Sequence, residues 1–238
     1  MMRLVGIILI LVTGVTHPTK DQVIEVFGHM KNEDGFSFSI QDIDVIPGSF
    51  TAKGEQEAIV LFFDENQCHA AGWAEVWLLG YRKYKAGKGW IPISKIIEGD
   101  WVSAKAVDID HDGVKEVFVQ TGGGNQGYFE DGYLLISLKG GKSRTLLELT
   151  GLNYLGGIFP QETLLVQHNV HFADVSGDSV LEAIDTLVII TGVLKGEGID
   201  VELVRTDTTR YLKVFKFSER EHRFVEISER KLRSSVKR

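Results

Sequence analysis

Three stretches of the chain superimpose on one another without a gap, and this repetition restricts the fold more than any single motif does. SFTAKGEQEAIV from Ser49, DIDHDGVKEVFV from Asp108 and DVSGDSVLEAID from Asp174 each pass through a polar loop to a glutamate and then into an apolar run. In this register Ser49, Thr51, Lys53 and Glu57 match Asp108, Asp110, Asp112 and Glu116, which match Asp174, Ser176, Asp178 and Glu182. The glutamates stand 59 and 66 residues apart. After each comes a strand, a Gly-containing turn and further strand-like runs, so one unit holds about four strands counting the one that enters its loop.

The rest of the chain fits that unit. Runs of β-branched and aromatic residues at 58–63, 73–81, 117–121, 133–138, 145–149, 183–190 and 212–217 alternate with GKG, DHDG, GGGNQG, EDG, KGGK, SGD and KGEG. These spacers are turn and hairpin chemistry, not crossover helices. The expected fold class is mainly β, with antiparallel four-stranded blade-like repeats in a β-propeller-like arrangement. A repeat domain over 45–230 would contain about three units, near 45–100, 101–150 and 165–230, either closed or as an open arc. Residues 17–44 precede it and can complete a blade, and a basic tail, 231–238, follows. Residues 20–31 suit helix and strand equally, through Val23, Ile24, Val26 and Phe27.

Residues 1–16 have the form of a signal peptide: Arg3, an apolar run over 4–12, and small residues Gly14 and Thr16 before a cut that leaves His17 first. The expectation is a secreted or periplasmic protein with no transmembrane anchor, since the apolar run is too short to span a bilayer. No cysteine lies near that junction to carry a lipid. The one cysteine, Cys68, cannot form an intramolecular disulfide. A net charge of -7 argues against a nucleic-acid partner.

The middle loop carries cation chemistry. Asp108, Asp110 and Asp112 alternate so that three carboxylates can converge, Gly113 allows a sharp bend, and the Val114 carbonyl with Glu116 can complete a shell of hard oxygens suited to calcium. It is not an EF-hand, whose closing glutamate stands at loop position 12, where this chain has Val119. Asp174, Ser176, Asp178, the Val180 carbonyl and Glu182 form a second, weaker set in which Ser179 replaces the glycine. In the first loop Lys53 stands at a ligand position, which points to a metal-free loop with an ammonium in place of the ion. Without metal, such loops still form turns in which aspartates cap their own backbone amides.

AVDIDHDGVKEVFV from Ala106 and FADVSGDSVLEAID from Phe172 resemble the FG-GAP or VCBS repeats of integrin-like β-propellers. The resemblance spans roughly residues 45–228. It implies a calcium-binding extracellular repeat protein with the two residue sets above as ligands. Three units are fewer than the usual ring of that family, which leaves an arc, a small ring or assembly between chains, so oligomerisation is possible.

Other signals carry less. GxGxxG at Gly122, Gly124 and Gly127 leads into a strand where a dinucleotide fingerprint needs a helix. The same hairpin offers Asn125, Gln126 and Tyr128 as contacts to a sugar or peptide. His168 and His171 fall on opposite faces of an extended segment, which disfavours zinc. Trp73, Trp77, Trp90 and Trp101 suit a carbohydrate platform or packing between blades, and packing is the simpler reading. The expected function is a secreted calcium-stabilised module that binds a protein or glycan. The alternatives are an extracellular enzyme of hydrolase type with its site on the rim, or an assembly protein that pairs through exposed β edges.

Overall fold

The computed structural model describes residues 17–31, 35–65, 73–84, 87–125, 128–154, 162–195 and 202–232. Residues 1–16, where a signal peptide is expected, Cys68 and Gln126 lie outside the described residues.

The stretch that suited helix and strand equally is a helix, α1 (Lys20–Gly28). TKDQ starts it: the Gln22 amide donates to Thr19 Oγ1 at 3.2 Å and the Thr19 amide donates to Gln22 Oε1 at 2.9 Å, a reciprocal capping box. Val23 and Phe27 share one face and are fully buried. A sheet lies beneath that face and decides the conformation, since nine residues alone are too few for a stable helix.

Among the described residues thirteen strands follow, in three antiparallel units. The first is a four-stranded sheet of β1 (Ile40–Gly48), β2 (Glu57–Asp64), β3 (Trp73–Tyr84) and β4 (Gly87–Gly99) in sequential order. The second is the meander β5 (Trp101–Val107), β6 (Glu116–Asn125), β7 (Tyr128–Ser137) and β8 (Arg144–Tyr154). The third comprises β9 (Glu162–Gln167), β10 (Val170–Ala173), β11 (Glu182–Lys195), β12 (Glu202–Ser218) and β13 (Arg223–Leu232). The fold is therefore mainly β, in blade-like antiparallel repeats. The first sheet starts at Ile40, so residues 17–44 supply α1 and the start of β1. Lys231 and Leu232 of the basic tail are strand, paired with Tyr211 and Arg210.

Consecutive units stack face to face. β2 is buried along nearly its whole length because α1 covers one side and the second unit the other. Phe27, Phe38, Phe62 and Trp77 interlock edge to face under the helix, with ring centroids 4.8–5.7 Å apart. Ile59, Leu61, Val76 and Leu78 meet Val117, Val119 and Ile136 across the next interface. Phe118, Leu135, Leu146 and Leu147 then meet Val170, Phe215 and Phe224 across the last. Among the described residues no core cluster joins the first unit to the third and no sheet closes into a barrel. Units two and three also share a ladder where Leu152, Asn153 and Tyr154 of β8 pair with Val166, Leu165 and Leu164 of β9, which fuses them into one nine-stranded sheet.

Two of the four tryptophans follow the packing expectation, whereas Trp101 is 38% exposed. Trp77 lies against Phe27, and Trp90, 8% exposed, lies against Tyr81 at 5.5 Å, so neither offers a platform. Gly122 is glycine because the Trp101 indole crosses it: a Cβ there would stand 2.4 Å from Nε1. Gly122 and Gly124 of the GxGxxG run lie in β6, whose Asn125 pairs with Tyr128 of β7.

Candidate metal centre

Each aligned loop leads into the strand that its closing glutamate begins: 49–56 joins β1 to β2, 108–115 joins β5 to β6 and 174–181 joins β10 to β11. Their backbones agree in detail. The sixth residue of each adopts the left-handed conformation, with φ 81° at Gly54, 87° at Gly113 and 67° at Ser179. The fourth does so in the latter two, with φ 57° at His111 and 75° at Gly177. Ser179 thus tolerates the turn that Gly113 enters without steric cost.

The closing glutamates share one job. Glu57 accepts from the amide of Phe50 at 2.8 Å, Glu116 from that of Ile109 at 3.2 Å and Glu182 from that of Val175 at 2.7 Å, the same loop position each time. Each is nearly buried, at 2%, 8% and 1% exposed respectively. A carboxylate drawn into the stack this way ties the loop entrance to the following strand.

The middle loop gathers the predicted donors most closely. Oxygens of Asp108, Asp110 and Asp112 lie within 4.8 Å of one another, the one such acidic cluster among the described residues. Amide capping uses part of their capacity: Gly113 donates to Asp108 Oδ2 at 3.1 Å, Asp112 to Asp110 Oδ1 at 3.3 Å and Val114 to Asp112 Oδ1 at 2.7 Å. Asp108 Oδ1 is buried with no hydrogen-bond partner. Burial pushes the Glu116 carboxyl up to about 7, and the charges of Asp110 and Asp112 push the same way against the Ile109 amide. An orphaned buried oxygen beside a carboxyl whose ionisation is disfavoured is an arrangement that a bound cation would relieve. The donor set is all oxygen, which fits a hard ion such as calcium. Val114 stands at the seventh position, buried at the start of the second strand.

Each unit brings a cation toward its loop from, or just past, the strand that pairs with the one following the loop, a feature the loop sequences alone do not contain. In the first unit Arg82 of β3 reaches Glu57 and Glu55, both at 2.8 Å. Lys53 is not the substituting cation: its stem lies over Gly113 of the neighbouring loop. In the second unit Lys139, just past β7, pairs with Asp112 and holds that carboxyl below the usual range. It is half exposed and touches only the outer edge of the cluster. In the third unit Lys216 of β12 is more central. Its ammonium lies 2.6 Å from Asp178 Oδ2, 3.1 Å from Ser176 Oγ and 3.7 Å from Glu182 Oε1. Lys216 lowers the Asp178 carboxyl. Burial pushes Glu182 up, but hydrogen bonds from Ser176 and the Val175 amide outweigh it and the net shift is downward. The charge of the third loop is therefore answered from within the chain, whereas that of the middle loop is answered only at its rim.

Two outcomes follow from this contrast. If the middle loop holds one calcium, replacing Lys216 with Met should raise the stoichiometry measured by calorimetry from one to two; a value of one in both proteins would show that the third loop lacks a site even when vacated. The raised Glu116 carboxyl also fixes a sign. The folded chain holds a proton that the unfolded chain, with an ordinary value of 4.5, has already lost. The metal-free protein should thus lose stability as pH rises from about 5 to about 8, and Glu116→Gln should remove that slope in urea titrations. Calcium affinity should rise over the same interval, because the ion takes the deprotonated carboxylate.

A hydrolytic site is less well furnished. Ser103 and His168 line a cavity of about 190 Å³, and His168 Nδ1 lies 2.7 Å from Asp185 Oδ2. However, His168 Nε2 faces the Thr150 carbonyl at 3.1 Å rather than a hydroxyl, so the ring ties three strands together and presents no base to a nucleophile. His171 is exposed and separate. Asn125 of β6 and Tyr128 of β7 are a register pair.

Comparison with known proteins finds no family model, no curated protein and no solved structure that matches the chain. Among the described residues no helix is long and apolar enough to cross a membrane.

Proposed function

We propose that this chain is a secreted, calcium-stabilised, β-propeller-like binding module of the FG-GAP or VCBS type, with one calcium in the middle loop and Lys216 in the equivalent place of the third. The observation that carries the proposal is the buried, unpartnered Asp108 Oδ1 in a cluster with Asp110 and Asp112, above the raised carboxyl of Glu116. Asp108, Asp110, Asp112 and Glu116 supply side-chain oxygens and Val114 a carbonyl. The ion is structural: it fixes the turn that joins β5 to β6 and neutralises carboxylates that otherwise repel.

The role proposed for the whole module is capture of a protein or glycan outside the cell. Stacked repeat units present extended, stiff surfaces, and the loops that the ion orders lie together at one end of the stack. Pairing through sheet edges is disfavoured at β13, whose outward residues include Arg223, Glu226, Glu229, Arg230 and Lys231. The test is calcium calorimetry followed by glycan-array binding with calcium and with chelator. One site for calcium, no comparable response to magnesium, and array binding lost in chelator are the expected results. Array binding indifferent to chelator would separate partner capture from the ion, and absence of calcium binding would remove the basis of the reading.

A further inference from the structure

Beside the middle loop, between the second and third units, lies a cavity of about 410 Å³ lined entirely by described residues. Ile109, Leu146, Val180 and Phe217 give it an apolar floor. Its polar lining comprises Asp110, Glu116 and Glu219 together with Lys139, Lys142 and Arg144. Residues 142, 144 and 146 alternate along the entry to β8, which is extended from Lys142 onward, so two cations and a leucine are presented to the same space. Lys139 is already paired with Asp112. Lys142 and Arg144 are exposed and form no ion pair among the described residues, although Glu219 stands at the same mouth.

The cavity falls within the range of small-molecule sites, and its make-up, an apolar floor with a few convergent polar groups, is the usual one. The missing element is an acceptor for the two free cations. Because the lining holds three acids and three bases, its charges balance. Calcium held by Asp110 and Glu116 would tip the balance to positive. We propose that this cavity is a binding site for a small amphipathic anion, a carboxylate on an apolar or aromatic body, with the carboxylate between Lys142 and Arg144 and the body over Leu146 and Phe217. The guanidinium offers a two-pronged donor to that carboxylate, and the ammonium adds a point charge. The gain from calcium rests on the metal reading above; the contacts to Lys142 and Arg144 do not.

Calorimetric titration of the purified chain with 4-phenylbutyrate, and with neutral 4-phenylbutanamide as control, tests the site in calcium and in chelator. The acid is expected to bind one to one and about tenfold more tightly than the amide, the gain typical of a charge-assisted hydrogen bond. The double replacement K142S/R144S should remove that advantage, with melting unchanged because both side chains are exposed. Binding by the amide as tight as by the acid, binding unchanged in the double variant, or no binding in either buffer would overturn the proposal. Calcium binding without phenylbutyrate binding would overturn this site and leave the metal centre standing; phenylbutyrate binding without calcium binding would do the reverse.

Discussion

Replacement of Arg82 by Met is expected to destabilise the fold by about 3 kcal/mol, toward the low end of the cost of stripping one partner from a buried ion pair. The Glu57 side chain is fully buried, and Arg82 Nη2 supplies its counter-charge at 2.8 Å. Without the guanidinium, the carboxylate keeps the amides of Phe50 and Thr51 and the Thr51 hydroxyl as donors, which is why the loss stays below the upper end of that range. Urea titration reads the effect. Adding Glu57→Gln to the variant should recover part of the loss, because the buried charge goes with it. A change within about 0.5 kcal/mol, the scatter of ordinary surface substitutions, would mean that solvent already satisfies Glu57.

Calcium at about one hundred times its dissociation constant is expected to stabilise the protein by about 2.7 kcal/mol. For a chain of this size that is a rise in Tm of roughly 5–10 °C. Asp110→Ala and Glu116→Gln should abolish most of the shift, the first by deleting a donor and the second by deleting the charge beneath it. Glu57→Gln should lower the starting Tm yet leave the shift intact, since the first loop has Arg82 where the second has room for an ion. Equal loss of the shift in Glu57→Gln and Glu116→Gln would sink the distinction between these loops.

The repeat register was legible because loop chemistry is local. Alignment of Glu57, Glu116 and Glu182 placed three equivalent first turns, and Gly113 marked the left-handed residue that Gly54 and Ser179 share. Residues 20–31 were ambiguous because Val23 and Phe27 gain their preference only from the sheet they cover, although the Thr19 and Gln22 capping signal was present in the sequence. The cations were not legible from the loops. Arg82 is 25 residues from Glu57 and Lys216 is 38 from Asp178, and only strand register brings them together. Glu57 pairs with Gly80, two residues before Arg82, and Ala183 pairs with Phe215, next to Lys216. A basic residue near the cross-strand partner of each closing glutamate is therefore the signal a sequence search for such loops should include. Lys53, which does stand in the loop, leans on Gly113 next door and misled by its position.

Helix α1 gives the stack a direction. It occupies the face of the first sheet on which a preceding unit would have to sit, with Val23 and Phe27 sealed against Val60 and Phe62. Growth by duplication of units is thereby blocked at the head and has to proceed from the other end or by insertion between existing interfaces. Internally, each newcomer would have to meet the same handshake: the Lys115 amide donates to Ser49 O at 2.8 Å and the Leu181 amide to Ile109 O at 2.9 Å, passing a bond from loop to loop. The chain is in this sense a ratchet with a stopper, whose length can change only while its order stays the same.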